Sequence, residues 1–225
     1  MDIVKEYPSV LTIPKFRPHS TWESHYPFAF FLVDVLRPKK IVELGVYFGG
    51  SFLAWCQIVK KLNLNTKCIG IDAWEGDKNM GDLEEGVYES LVKSRDSDFP
   101  EQILLKKYFD EALDDIEDNS IDILHIDGLH TYDAVKNDFI KWLPKMSNSG
   151  VVLFHDTQVE KEDFGVKKFW SEISQQHFSF EFHHGFGLGI LLVGRDMNEK
   201  LIEMFTDKDP DKYRDIFYML GTSYD

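Results

Sequence analysis

The stretch IDILHIDGLHTYDAVKNDFIKWLPKMSNSGVVLFHDT, residues 121–157, sets the grammar of the chain. Ile121 to Asp127 is a nearly all-apolar run that halts on an aspartate. YDAVKNDFIKWL then carries apolar residues at helical spacing, and Gly150 to Asp156 is a second apolar run that halts on His155-Asp156. Apolar runs of strand length alternating with amphipathic helices predict parallel strands buried on both faces.

The same unit extends upstream. KIVELG (Lys40 to Gly45) predicts a strand and SFLAWCQIVKKL (Ser51 to Leu62) a helix with Ser51 as its cap; KCIGID (Lys67 to Asp72) and EQILLKK (Glu101 to Lys107) are two more strands, the latter followed by a helix-like DEALDDI. A leading helix is expected over Pro27 to Leu36, with proline in its first turn and Arg37-Pro38 ending it; before Tyr26 the chain reads as an irregular arm. Downstream, Phe164 to Ile173 predicts one more helix. Phe178 to His184 and Leu188 to Gly194 are separated only by a glycine-containing turn, so they must pair antiparallel. The expected architecture is α/β: a seven-stranded sheet of five parallel strands plus a C-terminal antiparallel hairpin, with helices on both faces. Residues 1–37 form the arm and leading helix, 38–194 the main domain, and 195–225 a C-terminal helical extension with two short helices. The segment Ala73 to Pro100 is the longest excursion between strands, beginning WEGDKNMGD and holding a helix near Glu84 to Lys93, as expected of a lid or substrate loop.

Composition narrows the function. The 225 residues carry 25 Lys and Arg against 39 Asp and Glu, a net charge of −14, which repels nucleic acid and anionic lipid. A hydrophobic fraction of 43% excludes disorder. Cys56 and Cys68 form no metal or disulfide pattern, and no apolar run is long enough to span a bilayer, so the expectation is a soluble, cytoplasmic protein with a small-molecule partner.

Polar residues collect at the carboxyl ends of the expected strands, where open parallel sheets bind ligands: Glu43, Asp72, Asp127 and His155-Asp156, with His130 just beyond. The first loop lacks the middle glycine of G-x-G-x-x-G, because Tyr47 stands there. That disfavours a pyrophosphate and a nicotinamide dinucleotide, and favours an adenosine-containing cation. A second reading stays open, in which Gly45 and Gly49 only shape a tight turn and Asp72 caps a helix. His125 reads as a core residue and His155 as a packed or capping one; at most one of His183 and His184 faces the cleft. Trp22 and His25 either fold over the pocket or pack on the surface. Phe28, Phe30, Phe31 and Trp55 are assigned to the core, and the tail aromatics Tyr213, Phe217 and Tyr218 suit a homodimer contact.

IVELGVYFGGS, CIGIDAWEGD, the stretch 121–157 and HHGFGLGILLVG together resemble the class I S-adenosylmethionine-dependent methyltransferases, specifically methyltransferase domain family 24, over about residues 20–194. The resemblance implies a Rossmann-like sheet, an S-adenosyl-L-methionine cofactor and, as in the related macrocin-type sugar methyltransferases, a divalent metal such as Mg²⁺ with methyl transfer to a hydroxyl. Glu43, Gly45, Gly49 and Ser51 would then frame the methionine part of the cofactor, Asp72 would bind the ribose, and Ala73 and Trp74 would flank the adenine. Asp110 would read the adenine edge or equally cap the helix after it. Asp127 would contact the cofactor or orient His130, Asp127 and Asp156 would share the metal, and His130 would be the general base. The chain departs from its relatives at Lys78-Asn79-Met80, where they carry a His. The acceptor expected is a sugar, a glycan precursor or another hydroxylated small molecule. The competing classes are a metal-dependent hydrolase using Asp127, His130 and Asp156, and a non-catalytic cofactor-binding module.

Overall fold

The computed structural model describes residues 1–18, 20–76 and 86–222. Seven strands, β1 (Lys40–Leu44), β2 (Lys67–Asp72), β3 (Ile103–Lys106), β4 (Ile121–Ile126), β5 (Met146–His155), β6 (Phe178–Phe182) and β7 (Leu188–Leu192), form one sheet in the order β3-β2-β1-β4-β5-β7-β6. The first five run parallel. β7 inserts antiparallel between β5 and β6, closing the sheet with the expected hairpin. Strand order reverses between β1 and β4, so the crevice beyond their carboxyl ends is the topological switch point.

Eight helices cover the sheet: α1 (Ile3–Glu6), α2 (Tyr26–Leu36), α3 (Gly50–Lys61), α4 (Val87–Asp98), α5 (Tyr132–Trp142), α6 (Val166–Ile173), α7 (Glu199–Phe205) and α8 (Asp211–Gly221), among the described residues. α2 is buried from Tyr26 to Val33, the condition of a helix apolar on all sides. It ends because Arg37 turns left-handed at φ 46°, ahead of Pro38. Side chains alternate along each strand. Ile41 of β1 and Ile123 of β4 pack with α2 and α3; Val42, Leu44, Leu124 and Ile126 pack with α5 and α6 on the other face.

Four expectations need correction. The arm is not irregular: Asp2 caps α1, a 3-10 turn spans Pro8–Leu11, and Ile3, Val10 and Trp22 are buried in the α2 core. DEALDDI makes only a 3-10 turn (Glu111–Asp115), too short a run to sustain successive α-helical turns; Ala112 is the turn's one buried residue, and Ile116 after it is buried in extended backbone. Ser51 is not the cap of α3, because Gly49 occupies that position at φ 85°. Tyr213 and Phe217 face inward from α8 and are fully buried, leaving Tyr218 exposed. The run from Asp77 through Lys78-Asn79-Met80 to Glu85, including the start of the expected helix near Glu84, lies outside the described residues; α4 begins at Val87, after Gly86 as its N-cap, and runs to Asp98.

Candidate functional site

The turn after β1 is forced by close approach. A Cβ on Gly45 would lie 2.0 Å from the carbonyl oxygen of Asp127, so only glycine lets the ends of β1 and β4 meet, and its φ of 89° also favours glycine. Tyr47 is held left-handed at φ 50° beside it. The open reading of Asp72 resolves locally: its Oδ2 accepts the backbone N–H groups of Val46 (2.8 Å) and Tyr47 (3.0 Å), and its Oδ1 accepts that of Trp74 (2.7 Å). Asp72 thus ties the two loops together. A carboxylate has about four acceptor positions, which leaves room for one hydroxyl. The Trp74 indole N–H donates to the Tyr47 carbonyl (3.0 Å), and its ring meets Tyr88 at 4.6 Å, walling the crevice next to Ala73.

Glu43 and His125 are register partners on β1 and β4, so both point toward α3. Glu43 is 1% exposed. It accepts from Ser51 Oγ (2.9 Å) and Trp55 Nε1 (2.8 Å) and meets His125 Nδ1 at 3.2 Å. Glu43 and Ser51 therefore brace α3 behind the turn, and the turn's backbone faces the crevice. His125 is in the core as expected, although its Nε2 has no partner.

The structure brings together Asp127, His130 and Asp156, with one potential ligand atom from each lying within 4.8 Å of the others. His130 Nε2 is 2.8 Å from Asp156 Oδ2 and 3.8 Å from Asp127 Oδ1, and its ring stacks on Phe164 at 4.6 Å. Asp156 takes a left-handed φ of 63°. His155 is buried and spans two parts of the site, with Nδ1 3.2 Å from Asp127 Oδ1 and Nε2 3.0 Å from the Gly185 carbonyl. Burial alone would lower the pKa of His130, but Asp127 and Asp156 outweigh it and push the imidazole up to about 10. Burial likewise opposes, and Asp127 overcomes it, to raise His155 to about 9. In return, burial would raise Asp127, but His155 and His130 hold its carboxyl well below the usual range.

His25 is fully buried rather than on the surface. Its Nε2 lies 3.1 Å from the same Gly185 carbonyl and its ring stacks on His184 at 4.7 Å. Burial, then His155 and His184, keeps it well below the usual histidine range. His183 stays largely exposed. Asp110 occupies the N-cap position of the Glu111–Asp115 turn without a side-chain cap bond, and its Oδ2 accepts from Lys141 Nζ at 2.5 Å. Beside it, the Phe109 ring packs against Gly128, where a Cβ would lie 2.4 Å from it. Sequence reasoning missed the links from His155 to Asp127 and from Phe164 to His130. The first had a signal, since His155 ends the strand next to the one ending at Asp127; the second had none. A cavity of about 300 Å³ is lined by Phe48, Leu53, Val87 and Leu91, not by these carboxylates.

Hard oxygen donors from two adjacent strand ends, with a buried histidine nitrogen between them, fit a divalent cation. Asp72 and Asp127 end β2 and β4 beside the switch point, and carboxylates there, one with an acceptor position open, fit a cationic ligand that carries hydroxyls.

Comparison with known proteins bears on the fold and the family. The chain is 42% identical over 216 residues, 93% of its length, to an uncharacterized protein of Sinorhizobium fredii, and 35% identical over 120 residues, 52% of its length, to an uncharacterized protein of Acanthamoeba polyphaga mimivirus. It spans 23% and 51% of those two relatives. Among solved structures, the S-adenosylhomocysteine-bound methyltransferase PaMTH1 of Podospora anserina superposes with a TM-score of 0.59 at 13% identity, covering 84% of this chain and 86% of that one. The O-methyltransferase TomG of Streptomyces achromogenes, solved with S-adenosylmethionine, gives 0.55 at 13% identity, covering 86% and 90%. These likenesses establish the Rossmann-like fold. Residues 42–157 match the model of a methyltransferase domain, and the chain belongs to methyltransferase domain family 24.

Proposed function

We propose that the protein is an S-adenosylmethionine-dependent O-methyltransferase acting on a hydroxyl of a sugar, glycan precursor or other small molecule, with a divalent cation at Asp127 and Asp156. The observation that carries this reading is the convergence of Asp127, His130 and Asp156 beside the Gly45 turn and Asp72 at the switch point. A hydrolase using the same three residues would make no use of the acceptor position that Asp72 leaves open beside that turn.

Methyl transfer is an in-line displacement: the oxygen–carbon bond forms as the carbon–sulfur bond breaks, and the hydroxyl proton must leave. When bound, the donor supplies a methyl on a positive sulfur and the cation lowers the pKa of a coordinated hydroxyl. The protein supplies position, which can remove about 7 to 11 kcal/mol of barrier. Asp72 holds the turn and offers an acceptor to the ribose, Trp74 walls the adenine side, and the backbone of Gly45 to Gly49 frames the methionine part. His130 presents one nitrogen, Nε2, to the carboxylates, so that atom either binds the ion or takes the hydroxyl proton. We assign it the proton. With a pKa of about 10 it begins protonated, and it becomes a base only when the charge of Asp127 and Asp156 is neutralised.

Titration calorimetry with S-adenosylmethionine, and transfer of labelled methyl to a panel of sugars, glycan precursors and phenols with and without chelator, test the assignment. Absence of donor heat would overturn it. His130→Ala separates its two roles. As base, its loss lowers turnover by roughly 10²- to 10⁴-fold while Mn²⁺ affinity holds. As ligand, its loss lowers Mn²⁺ affinity as well.

A further inference from the structure

Register pairs His155 of β5 with Leu188 of β7, so the turn from β6 to β7 sits just beyond the carboxyl end of β5, beside Asp156. Three consecutive residues of this turn are left-handed: Gly185 at φ 55°, Phe186 at 64° and Gly187 at 91°. Glycine suits such a conformation; a phenylalanine there is a true outlier. Phe186 is nevertheless 54% exposed, so no core contact accounts for its bulk.

The turn is pinned from every side. The Gly185 carbonyl faces both His155 Nε2 and His25 Nε2, Gln158 N–H donates to the Phe186 carbonyl (2.9 Å), and Gly187 N–H donates to His184 (2.9 Å). A Cβ on Gly187 would lie 2.5 Å from Thr157 Oγ1, which fixes the turn against the residues that follow Asp156. Thus a strained aromatic follows directly on the carbonyl that meets His155, whose other nitrogen is 3.2 Å from Asp127 Oδ1. Among the described residues the other aromatics with positive φ are Tyr47 and Trp74, in the loops that leave the carboxyl ends of β1 and β2. Backbone strain retained at such a rim points to a function for the side chain that bears it.

We propose that Phe186 is the acceptor platform: a hydroxyl-bearing ring lays its apolar face on the phenyl while its hydroxyl reaches the Asp127, His130 and Asp156 group. This rests on the methyltransferase reading above. The shared chemistry is a flat apolar ring face, whether the C–H face of a pyranose or the π face of a catechol. Phe186 is therefore a specificity-determining residue, acting on acceptor affinity.

The test replaces Phe186 with Ala, Leu and Tyr. Donor binding by calorimetry checks the methyltransferase reading independently, since Phe186 lies away from the Gly45 turn and Asp72. With donor binding intact, Phe186→Ala and Phe186→Leu raise the acceptor KM by about 3- to 10-fold with a smaller change in kcat, and Phe186→Tyr restores it. In parallel, 4-fluorophenylalanine at position 186 is followed by ¹⁹F NMR in the S-adenosylhomocysteine complex, with methyl pyranosides in one arm and catechols in the other. A resonance that moves in one arm supports the platform and names the ring class. Donor binding with an unchanged KM in Phe186→Ala, or with a resonance that moves in neither arm, overturns the inference and leaves the methyltransferase reading standing. Loss of donor heat in the unsubstituted protein overturns both.

Discussion

Replacing Glu43 measures how firmly the first strand is coupled to the helix behind the candidate site. Its carboxylate receives Ser51 Oγ and Trp55 Nε1 and meets His125 Nδ1, all within 3.2 Å and out of water. In Glu43→Gln, the amide oxygen can still accept from Trp55, and the new NH₂ can donate to Ser51, whose hydroxyl turns to accept. Only the charge assistance is lost, roughly 1 kcal/mol for each of two bonds, or about 2 kcal/mol in all. In Glu43→Leu, the indole N–H and the His125 ring are stranded. Each orphaned buried group costs about 1 to 3 kcal/mol, giving about 4 kcal/mol, a large part of a typical stability of about 5 to 15 kcal/mol. Urea denaturation with linear extrapolation reads both values, and donor calorimetry on the folded fraction reads whether the Gly45 turn has loosened. If Glu43→Leu destabilises no more than Glu43→Gln, the carboxylate does not organise this network and the reasoning fails.

Three further outcomes follow from the structure. Burial, reinforced by Asp110 and opposed by Lys141, raises the Asp138 pKa to about 7. The fold therefore prefers its acid form, and this contribution is lost as pH rises from about 4 through 7; Asp138→Asn should stabilise by about 1 to 3 kcal/mol at pH 8 and little at pH 4 by chemical denaturation. His130 and His155 are raised to about 10 and 9, so their contribution is complete below about pH 6.5 and is lost as pH rises through those values. Metal-free protein should lose stability progressively over that range, and Asp127→Asn should flatten the profile. Gly45→Ala would place a methyl on the Asp127 carbonyl at an unfavourable φ, so a loss of about 3 to 5 kcal/mol and of donor heat is expected in thermal and calorimetric measurements.

Strand number, direction and the closing hairpin were legible because continuous apolar runs are a strong signal of parallel strands, and Gly185 and Gly187 left no length for a crossover. The gathering of Asp127, His130 and Asp156 was legible for the same reason, since consecutive strand ends share one edge. What escaped were properties of packing. That Glu43 would turn inward to brace Ser51 and Trp55 depends on its pairing with His125, a register no local pattern states. That Trp22 and His25 would enter the interior depends on space left by distant elements, against Trp55 and His125 for Trp22 and against His155, Phe182 and His184 for His25, and DEALDDI is too short a run to sustain an α-helix.

Gly221, on the final helix, sits directly against the Ser24 carbonyl; a Cβ there would lie 2.2 Å from that oxygen. Ser24 adjoins His25, which holds the β6–β7 turn. During synthesis Ser24 and His25 leave the ribosome long before α8 does, so the contact of Ser24 with Gly221 forms only after α8 has emerged. A chain interrupted between β7 and α8 would therefore carry the whole sheet without the contact that seats Ser24 next to His25.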